Sequence, residues 1–319
     1  MSSKSKQSPK TMSTGLSPVN CLLLLLALLI VAAGFAAVAR GGEGGRHFAP
    51  AKPTKFLSVT FNELPVSESF AAADREHITK MILSALKKHE APAAGFVVGD
   101  NIGEGFDLLG AWLNDGHVLG NLTQTHQDLH DIGIENFIRE IQICDQALEP
   151  MLDGFGQKKR YFRFPFLHYG NSVESKRELR LFLDAMNKTI AHATILVEDY
   201  LYNLSLEKDA NAGDSAALSQ IGNDYLADVL EQVAAAEELS QKMLNRKCRQ
   251  ILLLRANLLN ALVLDELLSA LEEEGYGFIP LDEALQDELY SAPEAYYGSR
   301  GVGYLEMIMK SDPDLLPAQ

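Results

Sequence analysis

The sequence predicts an α/β fold, a parallel sheet closed into a barrel with helices around it. Three observations carry that expectation. Short apolar runs rich in β-branched residues alternate with longer segments of helical periodicity. The chain has 319 residues and 47% hydrophobic content, enough for a large buried core. No internal repeat and no low-complexity block beyond the N-terminal segment interrupts the alternation. Alternating strands and helices favour parallel pairing, because the connection must return the chain to the same end of the sheet.

The N-terminal residues stand apart from that pattern. Lys4, Lys6 and Lys10 precede Cys21–Ala39, an uncharged apolar run that ends Ala37-Val38-Ala39. A basic segment, an apolar segment and a small-residue ending describe a signal peptide. About 20 apolar residues also suffice to span a bilayer. A cleaved leader and an uncleaved anchor over residues 20–39 both fit, and either exports the rest. The product would be secreted, periplasmic or membrane-anchored. Residues 40–55, with Gly, Pro and Lys, read as a linker. Residues 56–319 then form the folded domain.

Within that domain the patterns predict strands at Leu57–Phe61, Ala94–Val98, His117–Leu122, Tyr161–Pro165, Thr194–Glu198, Ile251–Arg255 and Phe278–Leu281. Helices are expected at Ala71–His89, Ile102–Asp115, Glu135–Leu152, Glu174–Asn187, Ser215–Asn245 and Val263–Glu274. Ser291 to Gln319, rich in Tyr, Gly and Pro, should wrap the barrel irregularly. The formal charge is −15, and removing residues 1–39 with their three Lys deepens it to −18. Such a balance argues against nucleic acid, whose phosphates need clustered Lys and Arg. Membrane contact is expected only through the N-terminal segment. Cys21 falls in the leader; Cys144 and Cys248 are far apart in sequence and show no metal spacing. Buried free thiols are the simpler reading of the last two, with a single bridge as the alternative.

In a parallel α/β barrel the chemistry sits at the C-terminal ends of strands. The residues there are Asn62 and Glu63, Leu122 to His126, Arg163 to Phe166, Asp199 and Tyr200, and Arg255 to Asn257. They lie in five ordered motifs: "TFNELP", "GHVLGNLTQTH", "RFPF", "ILVEDY" and the closing "ILLLRANLLNALVLDELLSALEEEGYGFIPLDEAL". Together these resemble the polysaccharide deacetylases, the NodB homology family (carbohydrate esterase family four), from about Leu57 to about Gly303. The resemblance implies a distorted barrel of seven βα units. It also implies hydrolysis of N- or O-acetyl groups on sugars. A divalent metal, usually zinc, is then held by one Asp and two His, with a second Asp as general base and a His as general acid.

Carried over by position, these roles meet substitutions. The base falls on Asn62, whose amide cannot take a proton at pH 7. The ligand Asp falls on Glu63, one methylene longer. The first ligand His falls on Leu122 and the second on His126. The acid falls on Arg255, which keeps its proton. Arg163 is retained, and Asp199 is the second Asp of its motif. The resemblance therefore implies no bound cofactor, or zinc or another divalent metal if the protein is active. It implies an exported, catalytically impaired relative with a groove for an acetylated glycan, a cell-envelope polysaccharide or a protein partner. Two alternatives stand: an active deacetylase using Glu63, His126 and a further ligand, and a structural protein that keeps the fold alone.

Further expectations attach to single residues. Arg255 should replace the missing cation by pairing with Glu63, Asp199 or both; the competing reading points it into solvent. Arg163 should orient a carboxylate such as Asp199. His126 alone reads as a hydrogen-bonded core or rim histidine, and His117 and His168 as scaffold or rim. Trp112 reads as core. Phe166, Tyr296, Tyr297 and Tyr304 fit either a sugar groove or a core cover.

Overall fold

The structure, a computed structural model, describes residues 53–67, 72–212 and 215–311. The expected leader and nearly all of the expected linker lie outside the described residues. Lys55, at the end of that linker, already opens the first strand.

The elements run β1 (Lys55–Leu64), α1 (Ala72–Lys88), β2 (Ala93–Val97), α2 (Ile102–Asn114), β3 (Val118–Asn121), α3 (Leu129–Gly154) and β4 (Arg160–Phe162). They continue α4 (Val173–Ala185), β5 (Lys188–Ile190), β6 (Ile195–Leu196), α5 (Asp199–Ala212), α6 (Ser215–Leu244) and β7 (Gln250–Arg255). Last come α7 (Leu258–Glu273), β8 (Tyr276–Phe278), α8 (Leu281–Ala284) and α9 (Tyr304–Met309). The strands form one parallel sheet in the order β5-β4-β3-β2-β1-β7-β6, and β8 pairs with the start of β1. It curls into a half barrel with helices around it, the α/β architecture the alternation predicts.

The two free edges are β5 and β6, joined by only four residues. Ala191 donates its N–H to Phe162 on β4 (2.7 Å), and Thr194 donates to Ile251 on β7 (2.9 Å). This short segment thus serves both rims of the sheet. At the start of α9, Tyr304 donates its N–H to the Ala193 carbonyl (2.7 Å) and covers it. Within the described part of the C-terminal piece, up to Ser311, the chain is irregular as expected, apart from this short helix.

Central β1 shows why the interior is partly polar. Leu57, Val59 and Phe61 alternate with Ser58, Thr60 and Asn62, and all six are buried. One set packs under the helices, where Phe61 meets Trp112 of α2 edge-on at 5.4 Å. Trp112 is core, as expected. The other set includes Thr60 and Asn62, which both bond Arg163 and form the floor of the site described below.

Three expectations need correction. Among the described residues eight strands form rather than seven, because Lys188–Ile190 makes a three-residue strand directly after a helix. Nothing in three residues reveals a strand by pattern. Helix α5 is also unforeseen, because its faces invert the usual rule. Leu201 and Leu204 are exposed while Asn203 and Leu206 are buried. The closing strand is Tyr276–Phe278, set earlier than expected, since Pro280 immediately precedes α8. Cys144 and Cys248 are buried and unbridged. Among the described residues no helix is long and apolar enough to cross a membrane.

Candidate functional site

A cleft of about 670 Å³ opens at the C-terminal ends of the strands, lined among others by Asn62, Glu63, His126, Phe166, Tyr200 and Arg255. Strand register explains the grouping. Parallel β1 and β7 place Asn62 directly beside Arg255. Between Phe61 and Leu64 the register with β2 shifts, and Glu63 takes a left-handed backbone (φ 63°). Such an irregularity re-aims a side chain that strict alternation would send to the other face. Glu63 therefore joins Asn62 in the same cleft.

Arg255 forks between two acids. Its Nε donates to Glu63 Oε1 at 3.1 Å, and its Nη1 donates to Asp199 Oδ1 at 2.5 Å. Asp199, at the start of α5, is fully buried. It also accepts from the Arg255 backbone N–H (2.6 Å) and from Asn260 Nδ2 (2.8 Å). Asn260 is held in turn by the Tyr225 hydroxyl (2.7 Å) and bonds the Arg255 carbonyl (2.9 Å). The exposed Tyr200 ring lies 5.0 Å from the guanidinium. Arg255 does not point into open solvent: its side chain is 23% exposed, against 19% for Glu63.

The electrostatics follow from that enclosure. Burial pushes the Glu63 and Asp199 carboxyls up, against the pull of the Arg255 charge. Burial acts to lower Arg255, but its two carboxylates outweigh it and hold the guanidinium above its ordinary value. The group is a permanent cation. It answers the negative charges that would otherwise face each other unpaired.

The other motif residues divide into those the cleft uses and those it hides. Leu122, at the first ligand position, is fully buried in the hydrophobic core. His126 lines the cleft, its ring 4.8 Å from Phe166. Burial and then the Arg255 charge push its pKa down to about 4, so it is neutral at pH 7. Its Nε2 is buried without a hydrogen-bond partner, which departs from the satisfied histidine expected there. The donor set does not fit the metal that the motifs imply. Glu63 is held by a guanidinium, the third position is an alkyl chain, and a permanent positive charge faces the remaining imidazole.

Arg163 requires a correction. It does not orient Asp199. Fully buried, it donates to Thr60 Oγ1 (2.8 Å), Asn62 Oδ1 (3.1 Å), the Ala191 carbonyl (3.1 Å) and the His192 carbonyl (3.3 Å). Asp199 belongs to the wall beyond β7, where Arg255 and Asn260 already occupy it. The Phe96 ring lies 4.0 Å from the Arg163 guanidinium. Among the described residues no carboxylate bonds it, and burial pushes its pKa down to about 9.

Among the aromatic candidates, only Phe166 lines this cleft. Tyr297 and Tyr304 line a different hollow with Lys176, Arg177 and Arg180. The Tyr296 hydroxyl donates to the Arg300 carbonyl. His117 is scaffold, accepting the Ala93 N–H, and His168 sits at the rim against Asp128. Motif reading missed Asn260 and Tyr225, which set the Asp199 wall. The available signal was Asn260 itself, an amide amid the apolar "NLLNALVL" of α7.

This architecture, with its cleft at the strand ends, defines an α/β protein of the deacetylase barrel class. The polysaccharide deacetylase family model matches residues 49–181. A chitooligosaccharide deacetylase of Rhizobium leguminosarum bv. trifolii is 34% identical over 80 residues, 25% of this chain and 37% of that protein. A chitin deacetylase of Colletotrichum lindemuthianum is 26% identical over 232 residues, 69% of this chain and 77% of that protein. The fold is shared with the crystal structure of a polysaccharide deacetylase from Bacillus cereus. That structure has a TM-score of 0.51 and 21% identity, with 71% of this chain and 91% of that one covered. Over residues 49–181 the chain is thus similar to the polysaccharide deacetylase family.

Proposed function

We propose that this protein binds a glycan or a partner in the family cleft without hydrolysing an acetyl group. The observation that carries the reading is the Arg255 fork, at 3.1 Å from Glu63 and 2.5 Å from Asp199. It puts a fixed internal cation where the family's acid belongs and ties up the carboxylate at the ligand position. Asn62 cannot accept a proton from water, and Arg255 cannot give one up. Loss of either transfer alone costs about 10²–10⁴ in rate, and here both are missing. What remains is a binding surface. Phe166 and Tyr200 expose aromatic faces beside polar side chains, a combination suited to a sugar ring. Relatives named for acting on chitin and chitooligosaccharides suggest an N-acetylglucosamine polymer as the glycan, with a cell-envelope polysaccharide as its setting. The leader-like residues 1–39 support export to meet it.

Acetate release from chitooligosaccharides and peptidoglycan, with zinc or cobalt added, tests the reading. The native protein should release none, yet retain the oligosaccharide in a binding assay. Replacing Asn62→Asp, Glu63→Asp, Leu122→His and Arg255→His together should restore metal-dependent release. Metal-dependent release by the native protein would overturn the proposal.

A further inference from the structure

The cleft rim carries a second group of ionisable side chains outside the deacetylase roles: Asp128, His130 and His168. Asp128 and His130 follow His126 closely. Asp128 is the N-cap of α3 and His130 lies in its first turn, which Gly133 (φ 75°) separates from the rest of that helix. His168 follows the tight turn Pro165–Leu167. Its Nδ1 stands 2.9 and 2.8 Å from the two Asp128 oxygens. His130 Nδ1 stands 3.9 Å from Asp128 Oδ1. The two imidazoles stack with centroids 4.5 Å apart. Donor atoms of all three residues lie within 4.8 Å of one another, and no other such group of three occurs among the described residues.

A purely structural purpose explains part of this arrangement. Asp128 Oδ1 accepts the His130 backbone N–H (2.9 Å) and caps the turn. Capping does not call for two imidazoles beside one carboxylate.

We propose that Asp128, His130 and His168 bind a divalent transition-metal ion. Two imidazoles and a carboxylate suit zinc, cobalt, nickel or copper rather than calcium or magnesium. Two ligands on one tetrahedral ion at 2.0–2.1 Å stand about 3.3 Å apart. The present separations, 2.8 Å for His168 and 3.9 Å for His130, bracket that value. Relative to Asp128 each Nδ1 is within about 0.6 Å of that spacing, and the two stacked rings must also rotate for both nitrogens to face one ion. Three protein ligands leave one position open, for water or for an oxygen of a bound glycan. Phe166 stands between this group and the cleft, 6.0 Å from the His168 ring and 4.8 Å from His126. The ion would therefore tie the His126 loop to the Phe166 turn at the cleft rim, away from the Arg255 fork.

Titration of the metal-stripped full chain with zinc and with cobalt tests the site by calorimetry and visible absorption. The expected result is about one ion per chain and a raised thermal midpoint. His130→Asn and His168→Asn should each weaken binding at least about tenfold, the loss known even for groups one step removed from a metal. Glu63→Gln and His126→Gln should leave the affinity unchanged. Should a histidine variant misfold, X-ray absorption of the zinc-loaded parent decides: two imidazoles on the ion support the site, and one or none overturns it. Absence of stoichiometric binding overturns it, as does binding lost with Glu63 and His126 instead. Failure here is distinguishable from failure of the proposed function, which acetate release tests separately.

Discussion

Two arginines a few ångströms beneath or beside the same cleft solve the problem of a buried cation in opposite ways. Arg163 is wholly enclosed and bonds only neutral groups: a hydroxyl, an amide and two carbonyls. Arg255 is less buried and bonds two carboxylates. Burial lowers Arg163 to about 9, while the acids hold Arg255 above its ordinary value. The difference teaches how charge is distributed in the site. Arg163 meets the neutral amide of Asn62. Arg255 stands between the carboxyls of Glu63 and Asp199. The carboxylate-paired cation lies in the wall of the site, and the floor holds one paired only with neutral groups.

The largest expected effect breaks the paired side of this comparison. Arg255→Ala leaves the fully buried Asp199 with Asn260 as its remaining side-chain partner. Removing one member of a buried pair costs about 3–5 kcal/mol. Urea unfolding at pH 7 measures it, and a loss under about 1 kcal/mol would mean the fork is open to solvent. The same variant should raise the His126 pKa from about 4, since the Arg255 charge helps depress it. Titration of the ring followed by NMR reads that directly.

A second effect comes from histidines buried near each arginine. His192 is buried beside Tyr169 and Tyr304, with its pKa pushed down to about 3 by burial and then by Arg180 and Arg163. His126 is depressed to about 4. Below about pH 6.5 the unfolded chain protonates these rings while the folded chain does not. Unfolding then takes up protons, so stability falls as pH falls, by up to about 1.4 kcal/mol per pH unit for each ring. The window runs from about 6.5 down towards 4 for His126 and 3 for His192. Urea midpoints at pH 7, 6 and 5 check the slope, and His192→Asn should reduce it. A flat profile would show that neither ring is desolvated.

A third test repairs the unpaired side. Asn62→Asp places a carboxylate where Arg163 Nη1 now meets an amide oxygen at 3.1 Å. The guanidinium would hold the new carboxyl below its ordinary value, so the gain is present at pH 7 and is lost as pH falls below about 4. A stabilisation of about 1–2 kcal/mol is expected, within the range of a hydrogen bond to a charged group. Destabilisation at pH 7 would show that repulsion from Glu63 and Asp199 outweighs the pair. The smallest effect is Tyr200→Ala. Removing an exposed ring 5.0 Å from Arg255 should cost about 0.5–1 kcal/mol, readable as the difference between this variant alone and combined with Arg255→Ala.

By itself the sequence determined the class of fold and the ordering of motifs along it, and it supplied the expectation that base and acid are absent. Those properties are local. A run such as "FLSVTF" reads as a strand from its own residues, and an amide at Asn62 or an alkyl chain at Leu122 cannot act as base or ligand in any setting. It also offered a pairing for Arg255, with a solvent-facing rim position as the competing reading, and the contacts with Glu63 and Asp199 decide for the pair. Only the tertiary structure decided the rest. The β5 strand is three residues long and exists because β4 stands beside it. Helix α5 buries Asn203 and exposes Leu201, a choice made by its neighbours and not by its own periodicity. Arg163 turned to Thr60 and Asn62 because Asp199 lies beyond β7, a distance no spacing in the chain expresses. His168 meets Asp128 from forty residues away because two loops converge on one rim. Such groupings depend on how the strands curl, and curvature is a property of the whole sheet.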